Sequence, residues 1–297
     1  MLILTHIDND HIGGLIKWFE MDNDAYRLVK NVWFNSGKLI AEYLKKPENP
    51  DLNLGLKIFQ TTETGVHEAI EFEDYLLKNK IWDRKVILKG QIIQDLGITM
   101  TILSPDTLNL EKLLNEYKFQ TGDDIYTAGK EKDWGKTLTE FIEEEVQKKY
   151  KFSQDSSVKN GSSITFVITI FGKNFLFLGD SHPILIAKAI TDLGFSEIDQ
   201  LVVELFKVSH HGSKSNTNEK LVKLVKTGNY FLSTDSSGDN HPHKRTLARI
   251  VKYNPSATFH FNYPQVSENI LLPQDFKDFP LLKIKLTNKL EFKYDPR

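Results

Sequence analysis

The sequence predicts an α/β protein, a sandwich of sheet and helix rather than a helical bundle or a closed barrel. Three observations lead there. Short apolar strands alternate with amphipathic helices along the C-terminal half, tight hairpin turns separate some of the strands, and ligand-type residues gather in loops that directly follow strands. Of 297 residues, 40 % are hydrophobic and 26 % charged, the balance of a chain with a sizeable core.

Met1-Leu2-Ile3-Leu4 reads as a buried strand, and a polar cluster follows it at once. The apolar stripe of Leu15, Ile16 and Phe19 predicts a helix from Ile12 to Glu20, and Val32-Trp33-Phe34 a second short strand. Pro47-Glu48-Asn49-Pro50 breaks the segment 36–85, with a helix expected on either side. Ile98 to Leu103 alternates cleanly and stops at Ser104-Pro105. From Leu110 to Lys151 the pattern is helical and charged, and is read as a solvated helical insertion. Strands are expected at Ile164–Ile170 and Phe175–Leu178, joined by a turn at Gly172-Lys173. Helix 184–193, strand 201–208, helix 219–225, strand 230–233, helix 245–253 and strand 257–261 follow, with a last hairpin over 282–292 around Asn288-Lys289. The chain is expected to be one domain over 1–297, with 36–85 and 110–151 as insertions or lid segments.

Composition narrows the function. Net charge is −2, from 38 basic and 40 acidic residues, so no global basic field coats nucleic acid. A nuclease, which needs only a local cleft, stays open. No apolar run reaches the ~20 residues of a membrane span and no secretory signal opens the chain, so a cytoplasmic location without membrane contact is expected. Cysteine is absent, and any metal must therefore be held by His, Asp or Glu. Seven of the nine histidines fall in four short patches.

The densest patch is Thr5-His6-Ile7-Asp8-Asn9-Asp10-His11-Ile12-Gly13-Gly14, between a strand and a helix. In an extended segment His6 and Asp8 share a side while Asp10 and His11 diverge at the turn, so one loop can serve two ions. Asp10 as a helix cap would explain one acidic residue, not four ligand-type residues in six positions. In the second patch, Leu178-Gly179-Asp180-Ser181-His182, a strand delivers one carboxylate suited to bridging two cations. His182 reads as a surface or supporting residue. The third, Ser209-His210-His211-Gly212-Ser213, offers adjacent rings that diverge, one as a metal ligand and the other as a supporting group or a proton donor. The fourth is Asn240-His241-Pro242-His243. His67 and His260 stand outside these contexts and read as structural. Four strand-end loops carrying His and Asp form a metal-site pattern, because ligands gather at strand ends in open α/β layers.

His6-Ile7-Asp8-Asn9-Asp10-His11 resembles the His-x-His-x-Asp-His signature of the metallo-β-lactamase-fold hydrolases, with aspartate in place of the second histidine. Followed by Gly13-Gly14, it is similar to the hydrolase domain of the bacterial competence protein ComEC. Asn160-Gly161-Ser162-Ser163, Leu178-Gly179-Asp180, Ser209-His210-His211-Gly212-Ser213 and His241-Pro242-His243 extend the resemblance in that family's order, from Leu2 to about Asn254. The resemblance implies an αβ/βα sandwich with a dinuclear site at one edge. One ion is expected on His6, Asp8 and Asp180, the other on Asp10, His11, Asp180 and His210 or His211. Asp10, His211 and His241 are the expected catalytic residues, and a metal-bridging hydroxide the attacking group. Two departures are visible. The family's first N-terminal strands are missing, which predicts an open edge for a partner chain or a second copy. No histidine matches the third motif, where Asn160 stands. The donors suit two Zn²⁺ or Mn²⁺ ions, and Asp8 favours the harder Mn²⁺.

The function these readings imply is a metal-dependent hydrolase, a phosphodiesterase or nuclease on single-stranded nucleic acid. Lys207, Lys214, Lys220, Lys223 and Lys226 stand ready to contact phosphates, unless Lys220, Lys223 and Lys226 are merely a solvated helix face. The alternatives are hydrolysis of a small phosphoester, or a non-catalytic assembly module that uses the open edge.

Overall fold

A computed structural model of the chain describes residues 1–46, 64–95, 97–119, 132–238 and 240–287. The expected break at Pro47-Glu48-Asn49-Pro50 and the turn at Asn288-Lys289 lie outside them. The fold is α/β and divides into two compact units. The first comprises Met1–Gln91, Ser104–Asp124 and Ser156–Ile164, the second Ile92–Leu103, Ile125–Asp155 and Thr165–Arg297.

In the first unit the strand Leu2–Ile3 pairs in parallel with Val32–Trp33, and Leu4 N continues the ladder by donating to Trp33 O at 3.0 Å. The helix Asn9–Met21 begins three residues before the apolar stripe predicts, so the metal-type residues Asp10 and His11 lie in its first turn. Asp8 stands at the N-cap, yet its side chain makes no capping hydrogen bond. Helices Gly37–Tyr43, Thr64–Asn79, Thr107–Phe119 and the short Val158–Gly161 complete the unit. They close a core of Ile7, Ile12, Phe19, Phe34, Ile40, Phe72, Leu76, Leu110 and Leu114. Removing such side chains from water is the main force holding this unit together.

The second unit is built on a sheet of eight described strands. In order across the sheet they are Lys283–Leu286, Thr258–Phe261, Asn229–Leu232, Leu205–Lys207, Lys173–Phe177, Thr165–Ile170, Ile98–Ser104 and Ile92–Asp95. The first five run parallel to one another, and the pairs Thr165–Ile170/Lys173–Phe177 and Ile92–Asp95/Ile98–Ser104 are antiparallel. The hairpin predicted near Gly172 is present. Its turn is Phe171-Gly172, with φ of 50° and 73°, the left-handed pair that fits the twist of two antiparallel strands.

The continuous strand expected at 201–208 is broken instead. Leu201–Val202 pairs with Val225–Lys226 in a small separate sheet, and only Leu205–Lys207 enters the main one. The chain changes partners there, as Val203 N donates to Lys226 O and Glu204 N to Asn174 O. Lys283–Leu286, the described part of the expected last hairpin, pairs in parallel with Thr258–Phe261, and the second arm lies outside the described residues.

Helices Pro183–Asp192, Glu219–Leu224, Lys244–Tyr253 and Leu138–Val146 cover Leu176, Leu178, Phe206, Val208, Tyr230, Leu232, Phe259 and Phe261. The last helix corrects the expectation of a solvated segment. Leu138 and Phe141 are buried, and Glu144 and Glu145 pair with Arg245 and Arg249 of the Lys244–Tyr253 helix. Among the described residues no helix is long and apolar enough to cross a membrane.

Candidate metal centre

Parallel strands send the loops at their C-terminal ends to one edge of the sheet. Lys173–Phe177, Leu205–Lys207 and Asn229–Leu232 are such neighbours, and the loops after them carry Asp180, His210 with His211, and His241 with His243. Topology thus collects three of the four predicted patches within the second unit.

Asp180 is 1 % exposed, at the head of a buried polar lattice. The Thr165 hydroxyl donates to Leu178 O at 2.9 Å and lies 2.6 Å from the Ser181 hydroxyl. Ser209 Oγ donates to Ser181 O at 2.9 Å, and Asn216 Nδ2 to Asp180 O at 3.0 Å. These bonds satisfy the buried Thr165, Ser181 and Ser209 hydroxyls and hold the Asp180 backbone. His210 and His211 both adopt left-handed backbone, with φ of 46° and 52°, and Gly212 follows at 91°. Two successive non-glycine residues in that region are a costly arrangement of the kind that persists at functional sites. Gly212 is required there: a Cβ would lie 2.6 Å from Pro242 Cβ and 2.8 Å from Leu232 Cδ2.

The two rings diverge at their Nδ1 atoms and converge at Nε2. His211 Nδ1 donates to Ser233 O at 2.6 Å, and His210 Nδ1 lies 3.0 Å from Asn216 Oδ1. Their Nε2 atoms stand 3.8 and 3.9 Å from Asp180 Oδ2. Asp155 supports the arrangement. Its Oδ2 accepts from Asn216 Nδ2 at 2.9 Å and lies 3.5 Å from His210 Nδ1 and 4.0 Å from His182 Nε2. Burial opposes protonation of His210, but the Asp155 carboxylate and then Asp180 outweigh it and raise its pKa to about 9. His241, its ring 4.8 Å from that of His210, is pushed down to about 2 by burial and by the neighbouring histidines. His243 is lowered to about 4, chiefly by burial. His260 is the structural residue the sequence suggests, buried with Nε2 3.0 Å from Asn229 Oδ1.

The first unit carries the densest patch. The Thr5 hydroxyl lies 3.1 Å from His6 Nδ1 and 3.3 Å from His11 Nδ1, and the two rings are 4.2 Å apart. With Nδ1 so engaged, Nε2 of each ring is the atom turned toward an aspartate. His6 Nε2 stands 3.6 Å from Asp8 Oδ2, and His11 Nε2 3.8 Å from Asp10 Oδ2. Bonds of about 2.0–2.2 Å from Zn²⁺ to imidazole nitrogen and carboxylate oxygen place two ligand atoms at similar separations. Within each unit, then, the donors fit a divalent cation: imidazole Nε2 and carboxylate oxygen, with Nδ1 fixed by a hydroxyl, a carbonyl or an amide. Asn160, in place of a third-motif histidine, is buried and donates its backbone N–H to Ser157 Oγ at 3.3 Å.

Four contributors escaped the sequence reading. Thr5 was visible only as a neighbour of His6, and Ser233 acts through its carbonyl, which no side-chain pattern reveals. Asn216 and Asp155 lie in loops without a motif, and only folding brings Asp155 to His210. Of the lysines singled out, Lys223 is engaged by Glu219 at 2.8 Å and Glu197 at 3.7 Å, the solvated-face arrangement rather than a free phosphate contact. Compared with models of protein families the chain matches none, and it matches none of the curated proteins.

Proposed function

We propose that the chain is a metal-dependent hydrolase of the metallo-β-lactamase type, a phosphodiesterase acting on single-stranded nucleic acid with two divalent cations, Mn²⁺ or Zn²⁺. The observation that carries the proposal is the orientation of four imidazoles. His6, His11, His210 and His211 each engage Nδ1 in a local contact and each aim Nε2 toward an aspartate oxygen. Stability alone does not ask four rings for this arrangement.

In this reading His6, Asp8, Asp10, His11, Asp180 and one of His210 and His211 hold the cations. When bound, the cations activate water as a nucleophile and stabilise charge on the phosphate. Asp180, on its satisfied backbone, holds its carboxylate in place. The second histidine of the pair donates the proton that the leaving oxygen needs, and the Asp155 carboxylate holds the proton on His210. His241, kept neutral by burial, packs against the His210 ring and excludes water from that side.

The test uses metal-stripped protein resupplied with Mn²⁺ and given end-labelled single-stranded DNA and RNA. The parent chain is expected to cut and Asp180→Asn to be inactive while retaining its circular dichroism spectrum. Cleavage of a small chromogenic phosphodiester but of neither polymer would transfer the assignment to a small phosphoester. Equal cutting by parent and variant would refute the metal-centred reading.

A further inference from the structure

Asp8 is bracketed by two groups of its own unit, and one of them is a cation. Its Oδ2 faces His6 Nε2 at 3.6 Å, while its Oδ1 lies 3.5 Å from Lys159 Nζ. Both side chains are largely withdrawn from solvent, Asp8 at 22 % exposed and Lys159 at 17 %. The ammonium is placed there by the fold. Ser157 caps the short Val158–Gly161 helix, and Ser162 Oγ donates to Lys159 O at 2.6 Å. Ile164 N donates to Thr5 O at 2.8 Å, which joins the segment carrying Lys159 to the loop carrying Asp8.

The helix Thr64–Asn79 closes the arrangement from another direction. A Cβ on Gly65 would lie 2.6 Å from Ile7 O and 3.6 Å from Lys159 Nζ. Glycine at 65 is what lets that helix start beside both the loop backbone and the lysine head group.

We infer that the Lys159 ammonium fills the cation position at Asp8, so that the two metal positions of the proposed centre are unequal. The chain takes one divalent ion tightly and a second, at His6 and Asp8, only weakly. This rests on the metal centre proposed above. A divalent ion entering beside Asp8 must displace the ammonium or accept like-charge repulsion over a few ångströms, where partial burial weakens screening. The ammonium also balances Asp8 while that position is empty of metal, and so holds the loop in its folded course.

The experiment is calorimetric titration of metal-stripped full-length protein with Mn²⁺ at neutral pH. The expected result for the parent is one tight ion per chain and a second weaker by about a hundredfold. Lys159→Met should tighten the second event about tenfold or more and leave the first unchanged, whereas Lys159→Arg, which keeps the charge, should titrate like the parent. Melting curves of the metal-free proteins establish that the variants fold, and the parent's own stoichiometry tests the inference if one does not. Two ions bound by the parent with affinities within about threefold overturn the inference and leave the metal centre standing. A second event unchanged in Lys159→Met overturns it as well. No binding by any of the three proteins overturns inference and centre together.

Discussion

Thr5 serves two histidines with one hydroxyl, 3.1 Å from His6 Nδ1 and 3.3 Å from His11 Nδ1. A hydroxyl oxygen carries two acceptor lone pairs, so it can accept from both Nδ1–H groups and hold both rings in the tautomer whose Nε2 is unprotonated. Valine has nearly the same shape and accepts no hydrogen bond. Thr5→Val should therefore lower Mn²⁺ affinity about 10–100-fold, the usual cost of losing a group that orients a metal-binding histidine. Folding stability should change by only about 1 kcal/mol. Titration calorimetry and urea denaturation measure the two separately, and an unchanged affinity would remove Thr5 from the site. The clustering of His6, Asp8, Asp10 and His11 is plain in the sequence, since it needs only adjacency. Their orientation is not, because the path of the loop decides which nitrogen faces inward. The choice between His210 and His211 stays open for the same reason: both Nε2 atoms reach Asp180 at nearly equal distance.

At the scale of elements, the loop bearing His241 and His243 is braced by the segment read from sequence as solvated. Trp134 Nε1 donates to Pro242 O at 2.9 Å, and Asp133 accepts from the backbone N–H groups of Lys244 and Arg245 at 2.7 and 3.2 Å. Beneath them lies a fully buried ion pair, Lys244 Nζ to Asp275 at 2.6 Å, with both side chains 0 % exposed. Burial lowers the Lys244 pKa and Asp275 opposes that shift. Asp275 also accepts from Leu138 N at 2.6 Å and from Leu272 N at 2.7 Å, so one carboxylate joins three elements. Asp275→Ala would leave a buried ammonium without its counter-charge, a change that costs about 3–5 kcal/mol. Guanidinium denaturation measures it, and a loss below about 1 kcal/mol would show that water or another acceptor reaches Lys244. The sequence misleads here for an identifiable reason. Glu144 and Glu145 look like a solvent face because their partners, Arg245 and Arg249, lie about a hundred residues downstream, beyond the reach of any local periodicity.

For the whole molecule, elements along the parallel sheet were legible because strand–helix alternation and strand-end clustering are local signals that survive into three dimensions. The change of partners at Val203-Glu204 and the parallel pairing of Lys283–Leu286 with Thr258–Phe261 were not, since strand pairing is decided by distant chain. Each of the two units owns an apolar core, one around Phe34 and Phe72, the other around Phe206 and Tyr230. An ion that binds only the folded chain stabilises it by mass action, about 2.7 kcal/mol at a free concentration of 100 Kd. For a chain of this length that corresponds to a melting temperature higher by roughly 5 °C. Mn²⁺ should produce this rise in the parent protein, EDTA should reverse it, and Asp180→Asn should lose most of it, because the variant lacks the carboxylate that Nε2 of His210 and His211 faces. Scanning calorimetry with and without Mn²⁺ is the measurement. Melting that is indifferent to Mn²⁺ at millimolar concentration would mean that these histidines and aspartates hold no divalent ion.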